Sequence, residues 1–246
     1  MTRLRIPAGA ILAFAFLAPA LAPQRLLAQE EERIRTPYRW IDGSLRAGLY
    51  AAYIATDPGG LEQGPRSSAL FGSRLRVRLS SPLSFEVNLG YASSERDVVY
   101  PLAEGGPAVV DRVGVDWLLL EGYLQLSLTG ARSLHRLQPY LLMGGGILQG
   151  LSEDVSPDFE TGTDEQFRFE LGTRPSLALG AGVEWDVSDR LGLAFEVRDH
   201  LWRVPTPDAW FRSDVLEAID AAGAAAPSEG YWTNNLELGA TLYYYF

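Results

Sequence analysis

His200 is the residue of this chain best suited to acid–base chemistry. It follows Asp199 and shares an alternating register with Glu196 and Arg198. The other histidine, His135, stands beside Arg132 and Arg136 in a polar connection and reads as a solvated surface residue. There is no cysteine and no lysine, and all 21 basic residues are arginine. That removes thiolate nucleophiles, Schiff-base and Walker-type lysines and any Ser-Lys pair. A hydrolase or transferase needs nucleophile, base and orienter within reach of one another. Ser213 lies downstream of His200, but no spacing ties the two together.

Ten further charged residues fall on one face of their segments: Arg46, Arg74, Arg76, Arg78, Glu86, Glu121, Glu184, Glu196, Arg198 and Glu237. Five of each sign can neutralise one another, and buried charges persist when paired. No cofactor is expected. Gly144-x-Gly146 is followed by Gln149 in place of a third glycine, and it lies in a strand pattern, so it is no dinucleotide fingerprint. No metal motif appears. The acidic stretch with Glu153, Asp154, Asp158, Glu160, Asp164 and Glu165 reads as a solvated loop. A net charge of −10 argues against a nucleic-acid partner, because phosphate binding needs a basic footprint.

The N-terminus has the pattern of a secretory signal. Arg3 and Arg5 precede an apolar run over 8–22, and small residues offer cleavage after Ala22 or Ala28. We assign 1–28 to the signal peptide, 29–43 to a polar periplasmic lead-in and 44–246 to one β-domain. No later run reaches the ~18 apolar residues of a spanning helix, so a membrane location requires a closed barrel.

Period-2 alternation predicts eight strands, over 45–55, 69–79, 83–91, about 113–129, 138–149, within 170–187, from 191 and over 234–246. Arg74, Arg76 and Arg78 decide the faces of the second. An arginine on the lipid face near the midplane costs about 2–4 kcal/mol, so in a barrel these three face the lumen; a soluble sandwich with an all-Arg outer face is the competing reading of this strand alone. If Ser80-Ser81-Pro82 is the turn, Arg76 falls opposite Glu86, Arg74 opposite Asn88 and Arg78 opposite Ser84. Both faces then match, as a correct register requires. In the fifth strand both faces are apolar or small, and the sequence leaves its lipid side open. Residues 93–112 and 203–230 read as long connections, the latter holding a short helix near 208–222 that ends at Gly223. Short connections alternate with long ones, as in barrels with tight periplasmic turns and longer outer loops. Aromatics are expected in two belts: Tyr140, Trp185, Tyr244 and Phe246 at periplasmic ends, and Tyr53, Tyr91, Trp117 and Trp202 at outer ends.

In its signal peptide, eight alternating segments, Pro139-Tyr140…Gly144-x-Gly146, Gly180-x-Gly182-Val183-Glu184, Leu193-x-Phe195-Glu196-Val197-Arg198-Asp199 and terminal Phe246, the chain resembles the small OmpA/OmpX-type outer-membrane β-barrels. The resemblance implies an all-β, eight-stranded antiparallel up-and-down transmembrane barrel in the outer membrane. It implies a monomer in contact with outer-membrane lipid, with Tyr244 and Phe246 as the signal read by the barrel-assembly machinery. The expected role is structural or surface-interacting, without catalysis. Two alternatives stand beside it: a lipid-modifying enzyme using His200, since some barrels of this size are acyltransferases or deacylases, and a narrow pore through the lumen charges.

Overall fold

The computed structural model describes residues 38–40, 45–103, 106–130, 132–153 and 167–246. The expected signal peptide, most of the lead-in and most of the acidic loop lie outside them. The strands are β1 (Tyr38–Trp40), β2 (Leu45–Ala55), β3 (Ser68–Arg78), β4 (Leu83–Tyr100), β5 (Ala108–Ser127), β6 (Arg132–Leu134), β7 (Leu137–Glu153), β8 (Thr173–Asp186), β9 (Leu191–Pro205) and β10 (Gly230–Tyr245). One α-helix, α1 (Ser213–Ala221), follows a 3-10 turn at Asp208–Phe211.

Eight strands close into a ring, each pairing antiparallel with its neighbours in the order β2-β3-β4-β5-β7-β8-β9-β10, and β10 returns to β2. Closure leaves the eight-stranded ring itself without a free edge, the condition for a sheet to cross a membrane. The β3–β4 register is the one expected, with Arg76 opposite Glu86, Arg74 opposite Asn88 and Arg78 opposite Ser84. Outward positions carry Leu49, Phe71, Leu75, Val87, Leu120, Leu124, Met143, Leu179, Phe195 and Leu238, all exposed. Together they form an apolar belt. Among the described residues no helix is long and apolar enough to cross a membrane.

The structure settles the face that the sequence left open. In β7, Leu141, Met143 and Ile147 point outward, while Tyr140, Leu142 and Leu148 are buried inside. It also corrects three belt aromatics. Tyr140, Trp117 and Trp202 are buried in the lumen. Trp117 has the parity of inward Glu121, and Trp202 that of inward Arg198, so alternation carries them inside. Tyr53, Tyr91, Trp185, Tyr244 and Phe246 do stand on the belt.

Residues 93–112 are a second correction. The strands run on, and the ribbon of β4 and β5 turns only between Tyr100 and Ala108. Val98-Val99-Tyr100 and Ala108-Val109-Val110 are β-branched and aromatic sequences that favour extension over a loop. The part of this ribbon past Tyr91 projects beyond the belt. There Asp97 accepts hydrogen bonds from Arg66 (Nε 3.1 Å) and Arg112 (Nε 3.1 Å). Desolvation pushes its carboxyl up, but these bonds outweigh it and hold the pKa below the ordinary carboxylate range. A depressed carboxylate contributes stability above its unfolded pKa and loses that contribution as pH falls through the folded one.

β6 is a third addition. Residues 130–137, expected as plain connection, contain a small hairpin in which Leu134 pairs with Leu137, and β1 pairs with β6.

We call the end with the connections 79–82, 128–136 and 187–190 the turn end, and the opposite end the loop end. At the loop end α1 lies across the ribbon. Val215 and Ile219, four residues apart on one helix face, pack with Trp210, Ala209, Phe167 and Val99. The helix stops as Gly223 takes φ +69°, with Gly223 N bonded to Asp220 O (2.9 Å) and Ala224 N to Ile219 O (3.0 Å). This is a Schellman cap, which needs a left-handed residue and is why glycine stands there.

Candidate functional site: the filled lumen

Alternation in eight strands sends one residue in two inward, and an eight-stranded barrel is just wide enough to be filled by them. Nine of the ten expected lumen charges are buried together; Arg78 is half-buried at the turn-end mouth. They act as struts across the barrel. Arg76 on β3 reaches Glu184 (2.5 Å) on β8, and Arg198 on β9 reaches Glu86 (2.7 Å) on β4. Each strut joins strands on opposite sides of the ring. Arg76 also binds its register partner Glu86 (2.7 and 2.9 Å), and Arg46 holds both oxygens of Glu184 (2.6 and 2.7 Å). Glu196 accepts from Arg74 and Arg198, and Arg74 continues to Glu237 (3.2 Å) and Thr241 (2.8 Å).

Four tyrosines complete this set, and they were not singled out in the sequence as site residues. Tyr123 donates to Glu121, Tyr140 to Glu196, Tyr243 to Glu86 (2.8 Å) and Tyr245 to Glu184 (2.7 Å). Parity could have found Tyr243 and Tyr245, which alternate with the outward leucines of β10. The rings also cover guanidinium groups, with Arg76 4.5 Å from the Tyr243 centroid and Arg198 4.3 Å from that of Tyr123, close enough for cation–π attraction.

Glycines on adjacent strands make room for these rings. A Cβ at Gly192 would collide with the Tyr245 hydroxyl, at Gly182 with the Tyr140 ring (2.6 Å) and at Gly48 with the Tyr243 ring (2.8 Å). Gly192→Val is therefore expected to push Tyr245 off Glu184 and Asp186. Overpacking of this kind costs about 1–3 kcal/mol, to be read as a lowered urea midpoint. An unchanged midpoint would show that Tyr245 has somewhere else to go.

His200 sits at the loop-end limit of this network. Its Nδ1 is 3.1 Å from Glu121 Oε1 on β5, and its Nε2 is 2.9 Å from Glu237 Oε2 on β10. Neutral imidazole has one N–H and one acceptor nitrogen, so it cannot bond to two ionised carboxylates through both nitrogens. The group of three therefore holds one more proton than a neutral ring and two carboxylates would. Its net charge is −1. With Glu86, Glu184 and Glu196 it then balances Arg46, Arg74, Arg76 and Arg198, and the buried network is neutral.

Above His200 the lumen turns apolar. The Trp202 ring packs at a tilt near it (6.2 Å between centroids) and against Trp117 (6.1 Å). Ile54, Leu70, Leu119, Leu148, Phe169, Leu171 and Val204 fill the remaining section. Phe169 and Leu171 belong to residues 167–172, just ahead of β8, and are buried in the mouth. His200 is fully buried between the ion pairs and this plug. Both nitrogens are occupied, and Ser213 lies exposed at the start of α1, outside the barrel. The geometry therefore does not bring His200 and Ser213 into one site. Among the described residues no cluster of His, Asp and Glu could hold a metal ion.

Among solved structures, the chain is similar to the outer membrane protein OprG from Pseudomonas aeruginosa, with a TM-score of 0.51 and 14% identity over 83% of this chain and 96% of that one. The fold is that of the small outer-membrane β-barrels. Neisserial surface protein A gives a TM-score of 0.48 at 15% identity, covering 82% of this chain and 97% of that one. The attachment invasion locus protein Ail of Yersinia pestis, solved in complex with the heparin analogue sucrose octasulfate, gives 0.35 at 13% identity over 82% and 97%. No protein-family model and no curated protein matches the chain. The likeness is one of fold.

Proposed function

We propose that this barrel resides in the outer membrane, exported by its N-terminal signal, and that its role is structural or surface-interacting without catalysis. The observation that carries the reading is the lumen, which is filled by paired charges and then by an apolar plug. Among the described residues the filling leaves no open path along the barrel, so the variable chemistry of the chain lies in what projects beyond the belt. Here that is the β4–β5 ribbon, α1 and the loops packed on them, and loops on a rigid scaffold are where specificity is carried. The turn end faces the periplasm in this reading. Tyr244 and Phe246 stack edge to face there (5.0 Å) on the outer surface, presented to the assembly machinery. The barrel works as a monomer embedded in outer-membrane lipid.

The absence of cysteine makes the topology testable with single-cysteine variants. Glu217→Cys on α1 is expected to react with a membrane-impermeant maleimide on intact cells. Asp189→Cys in the β8–β9 turn is expected to react only after the envelope is permeabilised. The reverse pattern, or no labelling at either site in intact cells, would contradict the proposed location and orientation.

A further inference from the structure

At the turn end, below the belt, three exposed arginines and an exposed histidine gather on the β6–β7 and β8–β9 sector: Arg132, His135, Arg136 and Arg190. The chain as a whole is strongly acidic, with 31 Asp and Glu against 21 Arg, so this concentration is out of character. Among the described residues the carboxylates of this sector are Asp189, in the same turn as Arg190, and Asp186, which is drawn inward by Tyr245 (2.9 Å).

The hairpin that presents the collar is built under strain. Leu134 pairs with Leu137, so His135 and Arg136 form a two-residue turn, and both have positive φ (53° and 68°). Such a turn favours Asn-Gly. Non-glycine residues in left-handed backbone cost of order 1–3 kcal/mol each and persist where the surroundings over-determine them. Here the surroundings do so: β1 pairs with β6 from Tyr38 opposite Leu134 to Trp40 opposite Arg132. Asp186 N bonds to Arg136 O (2.8 Å), and Arg136 Nη1 to Val187 O (3.2 Å). The hairpin is thus fixed with His135 and Arg136 at its tip. Directly above the collar the surface is apolar and exposed, through Leu134, Leu137, Trp185, Val187 and Leu191. These residues continue the belt without a break.

We propose that this collar binds the phosphate headgroups of anionic phospholipids in the leaflet that meets the turn end, while the apolar residues above it take the acyl chains. Continuity with the lipid-facing belt sets the occupant. A headgroup anchored in that leaflet lies at the depth of the arginines, whereas a soluble periplasmic polymer would leave Leu134, Leu137 and Val187 without a partner. The proposal rests on the membrane reading above, though not on which compartment the turn end faces.

The test is native mass spectrometry of the chain in nanodiscs of phosphatidylethanolamine with a minority of cardiolipin. The two leaflets are identical there, so a wrong orientation in cells leaves the measurement intact. Wild type is expected to retain cardiolipin selectively. Each arginine near an anionic surface contributes about fivefold in partitioning, less at higher salt. The Arg132→Gln/Arg136→Gln/Arg190→Gln variant is therefore expected to lose the selectivity. His135→Asn/Arg136→Gly gives the turn its preferred residues, so the barrel stays folded, and it is expected to lose the share due to Arg136. Equal cardiolipin retention by wild type and the triple variant would overturn the proposal. Co-sedimentation of wild type with purified peptidoglycan, lost in the triple variant while lipid retention is unchanged, would also overturn it and assign the collar to the cell wall.

Discussion

Replacing Arg76 with methionine is expected to destabilise the barrel by about 3–5 kcal/mol, the cost of removing one partner from a buried ion pair. Arg76 is 2% exposed and contacts Glu86, Glu184 and Tyr243 at 2.5–2.9 Å. Methionine fills much the same space, so packing changes little and the loss is electrostatic. Glu86 keeps Arg198 and Glu184 keeps Arg46, but two carboxylates would then share a neutral gap between them. Urea unfolding from lipid vesicles, followed by tryptophan fluorescence, reads the effect. Arg168→Met, exposed in the β7–β8 connection, serves as the comparison and should stay within about 0.5 kcal/mol. Equal midpoints for the two variants would mean that the struts are not what holds the lumen.

His200→Leu is the second large effect. It leaves Glu121 and Glu237, which the ring had joined, facing an apolar side chain with one positive partner fewer. The expected loss is again about 3–5 kcal/mol. His200→Gln can donate to one of the two carboxylates and should fall between wild type and His200→Leu. A compensating variant isolates the cause. Glu121→Gln and Glu237→Gln, added to His200→Leu, remove the uncompensated charges and should recover most of the stability. Full networks and fully neutral cores are both tolerated, and half-satisfied ones are not. If the triple variant is no more stable than His200→Leu alone, His200 is only a space-filling residue.

The parts of the barrel legible from sequence were those governed by alternation. Arg74, Arg76 and Arg78 set an inside and an outside, because three guanidinium groups cannot all face lipid. The register of β3 on β4 followed from a three-residue turn, and Arg76 fell opposite Glu86 as expected. Which charges meet across the lumen was not legible. Arg76 and Glu184 are 108 residues apart, and their contact depends on the diameter and stagger of a closed ring. The apolar plug was hidden for a related reason. Trp117 and Trp202 were read by height, as belt residues, when parity already turned them inward. In β7, Gly144, Gly145 and Gly146 carry no side chain to mark a face, and only pairing with Tyr123, Gly122 and Glu121 on β5 assigned one. The length of the β4–β5 ribbon was masked by polar residues such as Ser94, Arg96 and Asp97, which are buried by the loops packed over them.

Paired charges and an apolar plug close the lumen along its length. Single-channel recording of the purified barrel in a planar bilayer tests this closure most directly. A flat baseline at both polarities, without conductance steps, is expected. Steady ohmic steps from wild type, altered in size by Glu237→Gln or Trp202→Ala, would show that the lumen is not sealed and place an ion path through these residues.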